Sequence, residues 1–531
     1  MNLKRLPGIR SGGFRFRRVG GWSLFLLLVV MYLAWPGDNH WGDLDQALYI
    51  NLALQANETG TLSSCWRQGN ADLSYHPFPI WIYQFFLFLT HDLILLSLAK
   101  SLVTLSLCLV GLYYLAGVLK YPRWVILLVF FLPYNYFYSP EFTDDSWLIP
   151  LSLLAFSAYA RFFQKQTTTA FAGTVFLLVL SVYSHPRGAI LFLSVAIALV
   201  ASDRRRLREK AAGWCILLLA FCLVFVPYLV HHGVCLMPGD SQGPAASIGD
   251  SVPRFLSVFM SGGLFFSYDL FQLLLPYEAM GQPLTGIAKT LIGLTMIAYL
   301  LIISGIAITA ADLMRKRGNG SALDPGDRIG GLALLSLFVF SIAIAFLDLF
   351  HPVEYYSVVW FCLFFFLWRA ITVFHRRRCL RLIPGLYIIS MAVSWFCLWY
   401  LAHFAGIGLT LSDAVEGARK ISQYSPESRI IQNVRFPYGN PVDIMNGNFD
   451  QSFGNRWYYR RNVDFINQSE LLQDCLKGKY LYTTLVPLLR INYDKQDIRQ
   501  LPSGSIFLYF TFDGTSRCLV VETCPGGAFP D

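Results

Sequence analysis

The chain has 531 residues, of which 55% are hydrophobic and 14% are charged, and its mean hydropathy is +0.48. This composition excludes an ordinary soluble domain, because the apolar residues occur in runs of about 20, the length that crosses a bilayer. The net charge of +9 does not indicate a nucleic-acid partner, since the basic residues form short clusters between apolar runs. We therefore expect a multi-pass integral membrane protein.

The basic clusters predict the orientation of the chain, because loops rich in Lys and Arg stay in the cytoplasm. They lie at 4–18, 204–210, 315–317 and 376–381. A cytoplasmic N-terminus over 1–21, followed by about eleven spans within 22–411, places every cluster inside. The predicted spans are 22–35, 93–118, 124–140, 146–163, 169–184, 187–201, 211–231, 286–310, 329–350, 357–374 and 385–407.

The last part of the chain has a different composition. Residues 412–531 carry ordinary polar sequence, and 505–512 alternate as a strand does, while helical patterns occur near 412–423 and 469–477. The odd number of spans predicts that this part is a small α/β domain on the external face.

The first external loop, 36–92, carries Asp43 and Asp45 close to the end of the first span. Carboxylates at a membrane edge are costly and often functional. The segment that follows is predicted to be an amphipathic helix on the membrane surface, because its apolar residues recur at helical spacing. These residues are Leu48, Tyr49, Leu52, Ala53 and Ala56. Capping of this helix is an alternative role for either carboxylate.

Other ionisable and aromatic residues are predicted to lie at the same external face. They are His76, Asp144, Asp145, His185, Arg187, Glu354 and Tyr356. Most of them have a structural alternative. The two aspartates could cap the span that starts at Ser146, the His and Arg side chains could be interfacial cations, and Tyr356 could belong to the ordinary aromatic belt.

Several of these segments together resemble a known superfamily. They are Asp45-Gln-Ala-Leu-Tyr49 with Ala53 and Gly60-Thr-Leu62, His76-Pro77-Phe78-Pro79, Thr143-Asp144-Asp145-Ser-Trp-Leu148, Ser184-His185-Pro186-Arg187-Gly188, and Trp457–Arg460 with Ser469–Leu472. In this order they resemble motifs of the GT-C glycosyltransferases, which include the protein O-mannosyltransferases and the lipid A aminoarabinose transferases. The chain departs from the pattern at Gln46, where Glu is usual, and at His76 and His185 or Arg187, where Lys is usual.

The resemblance implies a GT-C fold and an inverting transfer of one sugar. The donor would be a polyprenyl-phosphate sugar, and the acceptor a glycolipid, a glycan or a protein on the external face of a bacterial inner membrane. Asp45 would be the general base and Asp145 the second catalytic carboxylate. The substrate-binding residues would be Tyr49, His76, Asp144, His185, Arg187, Glu354 and Tyr356. No cofactor is assigned; a divalent cation held by the carboxylates is left open.

Two other classes of protein remain as alternatives. A transporter or lipid-linked sugar flippase usually places ionisable residues near the middle of the membrane and is often built from paired halves. The acidic residues of this chain instead lie at predicted loop edges, and no halves are visible. In the third class, a non-catalytic assembly protein, the carboxylates would be dispensable.

Overall fold

A computed structural model describes the helical part of the chain and several isolated segments. The described residues are 25–26, 28–30, 49–50, 53, 56–57, 66–68, 71–73, 77–90, 92–120, 142, 145–235, 297–346, 357–376, 380, 382–383, 385–389, 392–393, 430–432, 463–465, 506–512 and 517–523. In the strand segments only the backbone is described.

The described part is mostly helical. Its helices in the first half of the chain are α1 Pro77–Leu89, α2 Leu93–Val118, α3 Asp145–Lys165, α4 Thr168–Ser184, α5 Gly188–Ser202 and α6 Leu207–Cys235. Its helices in the second half are α7 Ile297–Gly318, α8 Pro325–Phe346 and α9 Trp360–Arg376. A single turn of 3₁₀ helix, residues 357–359, leads into α9.

The helices confirm the prediction of a multi-pass membrane protein. Within the described residues, five segments are long and apolar enough to span a bilayer, lying in α2, α3, α6, α8 and α9. Three shorter apolar helices, α1, α4 and α5, accompany them. The predicted span 124–140 and the first part of the predicted span 286–310 lie outside the described residues, so the count of about eleven stays a prediction.

Two elements differ from the expected ones. Helix α1 lies inside the segment 36–92 that was predicted to be an external loop, and its 13 residues are too few for a perpendicular crossing. Helix α7 continues to Gly318, beyond the predicted end at 310, so its last turn includes Arg315, Lys316 and Arg317. Cations there are favoured by the negative end of the helix dipole.

Side-chain caps define where two of these helices start. The carboxylate of Asp92 accepts hydrogen bonds from the main-chain N–H groups of Ile94 and Leu95, at 2.8 and 3.2 Å, and so begins α2. The hydroxyl of Thr167 does the same for α4 by accepting from the N–H of Ala170 at 3.3 Å. These bonds satisfy main-chain donors that have no partner within the helix.

The basic residues gather at one end of the helix bundle. The Arg205 and Arg328 guanidiniums lie over the rings of Phe162 and Phe163, near the end of α3, at 5.3 and 5.2 Å from the ring centroids. The first residues of α3 and the turn between α4 and α5 are at the opposite end, because α3 and α4 are joined by a short turn at the basic end. The two described basic clusters, 204–210 and 315–317, thus lie at the opposite end of the helices from Asp145, His185 and Arg187.

Helix α9 forms the centre of the described core. Almost all of its side chains from Trp360 to Ile371 are buried inside the protein. By its apolar composition alone, this helix could equally have faced lipid. The ring of Phe361 meets that of Phe156 on α3 at 4.7 Å. Gly305 on α7 allows close approach, because a Cβ at this position would overlap the main-chain carbonyl of Phe366.

Strands occur in two places. The first pair, β1 Trp66–Gln68 and β2 Ala71–Leu73, is antiparallel and lies in the predicted external loop. The second set is β3 Ile430–Gln432, β4 Val463–Phe465, β5 Ile506–Phe512 and β6 Arg517–Thr523, in the order β4-β3-β5-β6. Strand β3 is parallel to β4 and β5, and β5 is antiparallel to β6. Strand β5 confirms the alternating pattern at 505–512, while the predicted helices at 412–423 and 469–477 lie outside the described residues.

Candidate functional site

Helix α1 connects two of the predicted motifs. Its second residue, Phe78, contacts the ring of Trp147 edge to face at 5.7 Å. Trp147 in turn donates a hydrogen bond from its indole N–H to the hydroxyl of Tyr83 at 3.1 Å. Since Trp147 is the third residue of α3, the start of α1 lies beside the helix terminus that carries Asp145. The segment that begins at Pro77 and the Asp145 motif are therefore neighbours.

Helix α1 also contacts the last turn of α4, just before the turn between α4 and α5. The rings of Trp81 and Tyr183 are in edge-to-face contact at 6.1 Å, and Tyr183 is the second-last residue of α4. His185 follows directly as the C-terminal cap residue of α4. Helix α1 thus lies between the Asp145 terminus and the turn that carries His185 and Arg187.

The turn from His185 to Gly188 is tight for a local reason. The N–H of Gly188 donates to the carbonyl of His185 at 2.8 Å, and α5 begins at once. A Cβ at position 188 would overlap the main-chain carbonyl of Ser181, so only glycine fits here. Pro186 supplies a fixed φ within the turn. The motif that was predicted from its resemblance is therefore a compact helix–helix connection.

One ring nitrogen of His185 accepts a hydrogen bond within this turn. Its Nδ1 accepts a hydrogen bond from the main-chain N–H of Arg187 at 3.0 Å. An accepting Nδ1 carries no proton, so the proton of this neutral ring is on Nε2. His185 can therefore act towards a ligand as a donor through Nε2 only.

The segment after Asp45 is helical where the structure describes it. Tyr49, Ile50, Ala53 and Ala56 are helical and buried, which is the spacing of one helix face. The next residue, Asn57, is bound to α1 through its side-chain amide, which donates to the carbonyl of Gln84 at 3.3 Å. The predicted helical conformation is confirmed at these positions, and Asn57 contacts α1, while the location on the membrane surface stays a prediction.

A lysine that the sequence motifs do not include lies next to Asp145. Lys100 is fully buried in α2, and its ammonium donates to the hydroxyl of Ser146 at 2.6 Å. The same ammonium is 5.9 Å from the centroid of the Trp147 ring. Sequence reasoning had a signal for this residue, because Lys100 is the single charged residue between Leu93 and Val118, and an ionisable group inside a span is a functional candidate by default.

The structure describes only some of the remaining predicted site residues. Asp45, His76, Asp144, Glu354 and Tyr356 lie outside the described residues, and of Asp145 only the backbone position at the head of α3 is described. Within the described part of the chain, no three side chains of His, Cys, Asp or Glu are grouped so that they could hold a metal ion.

The opposite end of the bundle has a small polar cavity of about 110 Å³ between α7, α8 and α9. Its charged side chains are paired with one another. Lys316 bonds Asp327 and Asp324 at 2.6 and 3.1 Å, and Arg369 bonds Asp312 at 2.6 Å. The hydrogen bond to Asp327 raises the pKa of Lys316. This network joins helix ends and is remote from the predicted motifs.

Comparison with known proteins agrees with the motifs. Residues 74–231 match the family model of the dolichyl-phosphate-mannose-protein mannosyltransferases. The matched segment contains α1 to α5 and most of α6, and it does not include the described helical residues between 49 and 57. No curated protein matches the chain.

Two solved structures illustrate the similarity to other membrane proteins. The structure of ArnT from Cupriavidus metallidurans bound to undecaprenyl phosphate has 12% sequence identity and a TM-score of 0.47, over 94% of this chain and 98% of that one. The apo oligosaccharyltransferase of Archaeoglobus fulgidus has 12% identity and a TM-score of 0.45, over 85% of this chain and 65% of that one.

The apolar helices and the family match together support a membrane glycosyltransferase of the GT-C type. Within that class, the chain resembles the dolichyl-phosphate-mannose-protein mannosyltransferases over residues 74–231. The resemblance that the sequence motifs predicted is thereby confirmed.

Proposed function

We propose that this protein transfers one sugar from a polyprenyl-phosphate-linked donor to an acceptor hydroxyl at the predicted external face of a bacterial inner membrane. The observation that carries this proposal is the position of α1, which joins the Asp145 terminus of α3 to the turn with His185 and Arg187. The description of the matched family supports the donor, since dolichyl phosphate is a polyprenyl-type lipid phosphate. The acceptor is a glycolipid, a glycan or a protein.

In the proposed reaction the acceptor oxygen displaces the lipid phosphate directly, with inversion at the sugar carbon. Asp45 takes the proton of the acceptor hydroxyl, which a carboxylate can do when it is within hydrogen-bond reach. Asp145, with Asp144 beside it, is the second carboxylate and orients the reacting groups. The charge that develops on the departing phosphate needs donors at a fixed position.

The donors for the phosphate come from the turn and from the segment before α1. Arg187 offers a fork of N–H groups that suits phosphate oxygens, and His185 offers its Nε2–H. His76 precedes α1 by one residue and so stands next to this helix in the chain. Tyr49, Glu354 and Tyr356 complete the proposed binding residues.

The test is transfer of a radiolabelled sugar from a polyprenyl-phosphate donor in membranes that contain the wild type or Asp45→Asn. We expect the wild type to label an acceptor and Asp45→Asn to lose at least about 100-fold in rate, as general-base catalysis implies. Asp43→Asn is the matched control, because it removes an equal charge two residues away and should leave transfer intact. Normal transfer by Asp45→Asn at wild-type protein levels would overturn the assignment of the base.

The alternative of a transporter or flippase predicts different behaviour. Lys100 does not favour it, since this residue is about 10 Å from the start of α2 and not at its middle. Absence of transfer with every polyprenyl-phosphate sugar, together with saturable solute uptake by the wild type, would favour the transporter instead.

A further inference from the structure

Two arginines from different parts of the chain share one aromatic ring at the basic end of the bundle. Arg204 belongs to the turn between α5 and α6, and Arg328 to the first turn of α8. Their guanidinium carbons lie 5.8 and 5.2 Å from the ring centroid of Phe163, the third-last residue of α3. The ring attracts each cation modestly, but two like charges around one ring repel each other. The arrangement is therefore more stable when an anion binds to both.

The protein supplies no such anion within the residues that the structure describes. Three other cations at this end, Arg205, Lys316 and Arg369, each bond to a carboxylate at 2.8 Å or less. The Nε–H of Arg328, in contrast, is shielded from solvent and has no hydrogen-bond acceptor in the described part of the chain. A buried N–H without an acceptor is costly, and the helix dipole disfavours a cation in the first turn of α8. An external anion would relieve both costs.

The turn that carries Arg204 is fixed to the end of α3 by one side chain. The amide of Gln166 donates to the carbonyls of Phe163 and Ser202 at 3.2 and 3.3 Å. Its oxygen accepts from the main-chain N–H of Arg204 at 2.8 Å. Gln166 holds this position with a φ of 49°, which is uncommon for a residue other than glycine. The backbone of Arg204 is thus placed beside Phe163 in advance, which lowers the entropy cost of binding a ligand.

The depth of the ring in the membrane indicates the class of anion. Phe163 belongs to the apolar segment Ser146–Lys165, which is long enough to span a bilayer, and lies two residues from its end. At about 1.5 Å of rise per residue, this is about 3 Å of helix from the end of the span, the level at which the hydrocarbon meets the headgroups. The sequence predicts that this end faces the cytoplasm. Basic pockets between helices on that side suit anionic lipid headgroups.

We propose that Arg204 and Arg328 form a binding site for the phosphate of an anionic phospholipid, at the opposite end of the helices from the candidate catalytic site. The forked N–H groups of the two guanidiniums donate charge-assisted hydrogen bonds to the phosphate oxygens. The bound lipid links the turn after α5 to the start of α8 across the end of α3. This site does not depend on sugar transfer.

The test measures the phospholipid that binds to the purified full-length protein. Native mass spectrometry in a neutral detergent gives the affinity for dioleoylphosphatidylglycerol of the wild type, Arg204→Gln, Arg328→Gln and the double variant. We expect each single substitution to weaken binding of the first lipid about tenfold, since charge-assisted hydrogen bonds are lost. Arg204→Lys and Arg328→Lys keep the charge without the fork and should bind with intermediate affinity. Equal affinities for the wild type and the double variant would overturn the site.

The matched control is the double variant Arg206→Gln with Arg317→Gln, which removes two charges from exposed side chains at the same end. At an ionic strength of about 0.15 M, screening limits attraction by such charges, so the affinity should change less than about twofold. A loss as large as that of Arg204→Gln with Arg328→Gln would mean that the basic surface attracts lipid in general, and would overturn the specific site. If Arg328→Gln does not accumulate in membranes, the two lysine variants carry the same comparison.

Further probes distinguish the possible sources of the phosphate. Phosphatidylglycerol should raise the melting temperature of the wild type, because it binds the folded state, and should not raise that of the double variant Arg204→Gln with Arg328→Gln. An equal rise with phosphatidylcholine, which has the phosphate but no net charge, or with inorganic phosphate would overturn the anionic lipid as the ligand.

The transfer assay separates this site from the proposed function. The KM for the polyprenyl-phosphate donor should be the same in the wild type and in Arg204→Gln with Arg328→Gln. A higher donor KM in the double variant would assign the site to the donor lipid and overturn the phospholipid. Failure of the wild type to transfer any polyprenyl-phosphate sugar would overturn the proposed function, while the binding measurements would still decide the lipid site.

Discussion

The indole N–H of Trp147 and the hydroxyl of Tyr83 form a buried hydrogen bond of 3.1 Å between the first turn of α3 and the middle of α1. This bond fixes the distance between two segments that are 64 residues apart in the chain. The ring of Phe142 meets Tyr83 edge to face at 5.5 Å and continues the contact into the residues that precede Asp145. The geometry of the candidate site therefore depends on the position of α1.

Tyr83→Phe should weaken this connection. The change leaves the Trp147 N–H buried without its acceptor, so we expect the free energy of unfolding to fall by about 1–3 kcal/mol. The transfer rate should fall as well, because the start of α1 is no longer fixed beside the α3 terminus. Thermal unfolding of the full-length protein in detergent and the transfer assay measure the two effects.

The control for this change is Phe85→Leu, since Phe85 is on the same helix but is 61% exposed. It should leave both the melting temperature and the rate unchanged. The variant with both Tyr83→Phe and Trp147→Phe should lose less stability than the two single losses added, because Trp147→Phe removes the donor that Tyr83→Phe leaves unpaired. A wild-type melting temperature for Tyr83→Phe would mean that this bond contributes nothing.

Gly188→Ala tests the tight turn between α4 and α5. The new methyl group would overlap the carbonyl of Ser181, so one helix must move and the free energy of unfolding should fall by about 1–3 kcal/mol. His185 and Arg187 move with the turn, and transfer should fall too. The matched control is Gly173→Ala in α4, where nothing lies within 4 Å of the new Cβ.

Gly173→Ala should stabilise the protein slightly, by up to about 1 kcal/mol, because alanine has the higher helix propensity. The two substitutions are chemically identical, so their difference isolates the close approach at Gly188. Equal melting temperatures for the two variants would contradict the tight turn.

Part of this architecture can be predicted from the sequence because it is local. The apolar run from Leu93 to Val118 has the same limits as α2, since its length and the cap at Asp92 are both visible in the chain. The pairing of α1 with α3 cannot be predicted in this way. It depends on contacts such as Phe78 with Trp147, which are distant in the sequence and become neighbours only when the helices pack.

Two features of the site were not predicted from the sequence, each for a different physical reason. Helix α1 is 13 residues long, too short to stand out as a span and too apolar to show a polar face. Lys100 was passed over because a single charge does not interrupt a long apolar run. Its burial against Ser146 is what distinguishes it from a lysine that reaches the membrane surface.

His185 can be tested by separating its two ring nitrogens. His185→Asn keeps an acceptor near the position of Nδ1, so the bond from the Arg187 N–H should persist and the melting temperature should not change. Transfer should fall roughly 100-fold, because the donor proposed to meet the phosphate is lost. His185→Ala should lower both quantities. Wild-type transfer by His185→Asn would leave His185 with a role in the turn alone.

Asp203 provides a prediction at the basic end, where a buried ion pair depends on pH. Its carboxylate bonds the guanidinium of Arg205 at 2.8 Å, and both side chains are almost fully buried. The hydrogen bond from Arg205 lowers the pKa of Asp203. A carboxyl whose pKa is lower in the folded state stabilises the fold above its unfolded pKa of about 4, and this contribution is lost as the pH falls through the folded pKa.

Asp203→Asn should therefore lower the free energy of unfolding by about 3–5 kcal/mol at neutral pH, since it leaves the buried Arg205 without its anion. Arg205 also donates to the Thr168 hydroxyl at 3.1 Å and lies over the Phe171 ring, so the ends of α3, α4 and α5 loosen together. The difference in melting temperature between the wild type and the variant should stay constant from about pH 7 to about pH 4, the ordinary aspartate pKa, and should shrink below that as the pH approaches the lower folded pKa.

The control for this comparison is Arg206→Gln, which removes a neighbouring charge from an exposed side chain. A loss of charge alone should leave the melting temperature nearly unchanged, because exposed charges contribute little to stability. If the difference in melting temperature between Asp203→Asn and the wild type instead stays constant over the whole pH range, the Asp203–Arg205 ion pair is not what stabilises this end of the fold. In that case Arg205 would be held by its two aromatic neighbours, and Phe171→Leu should then lower the melting temperature as much as Asp203→Asn does.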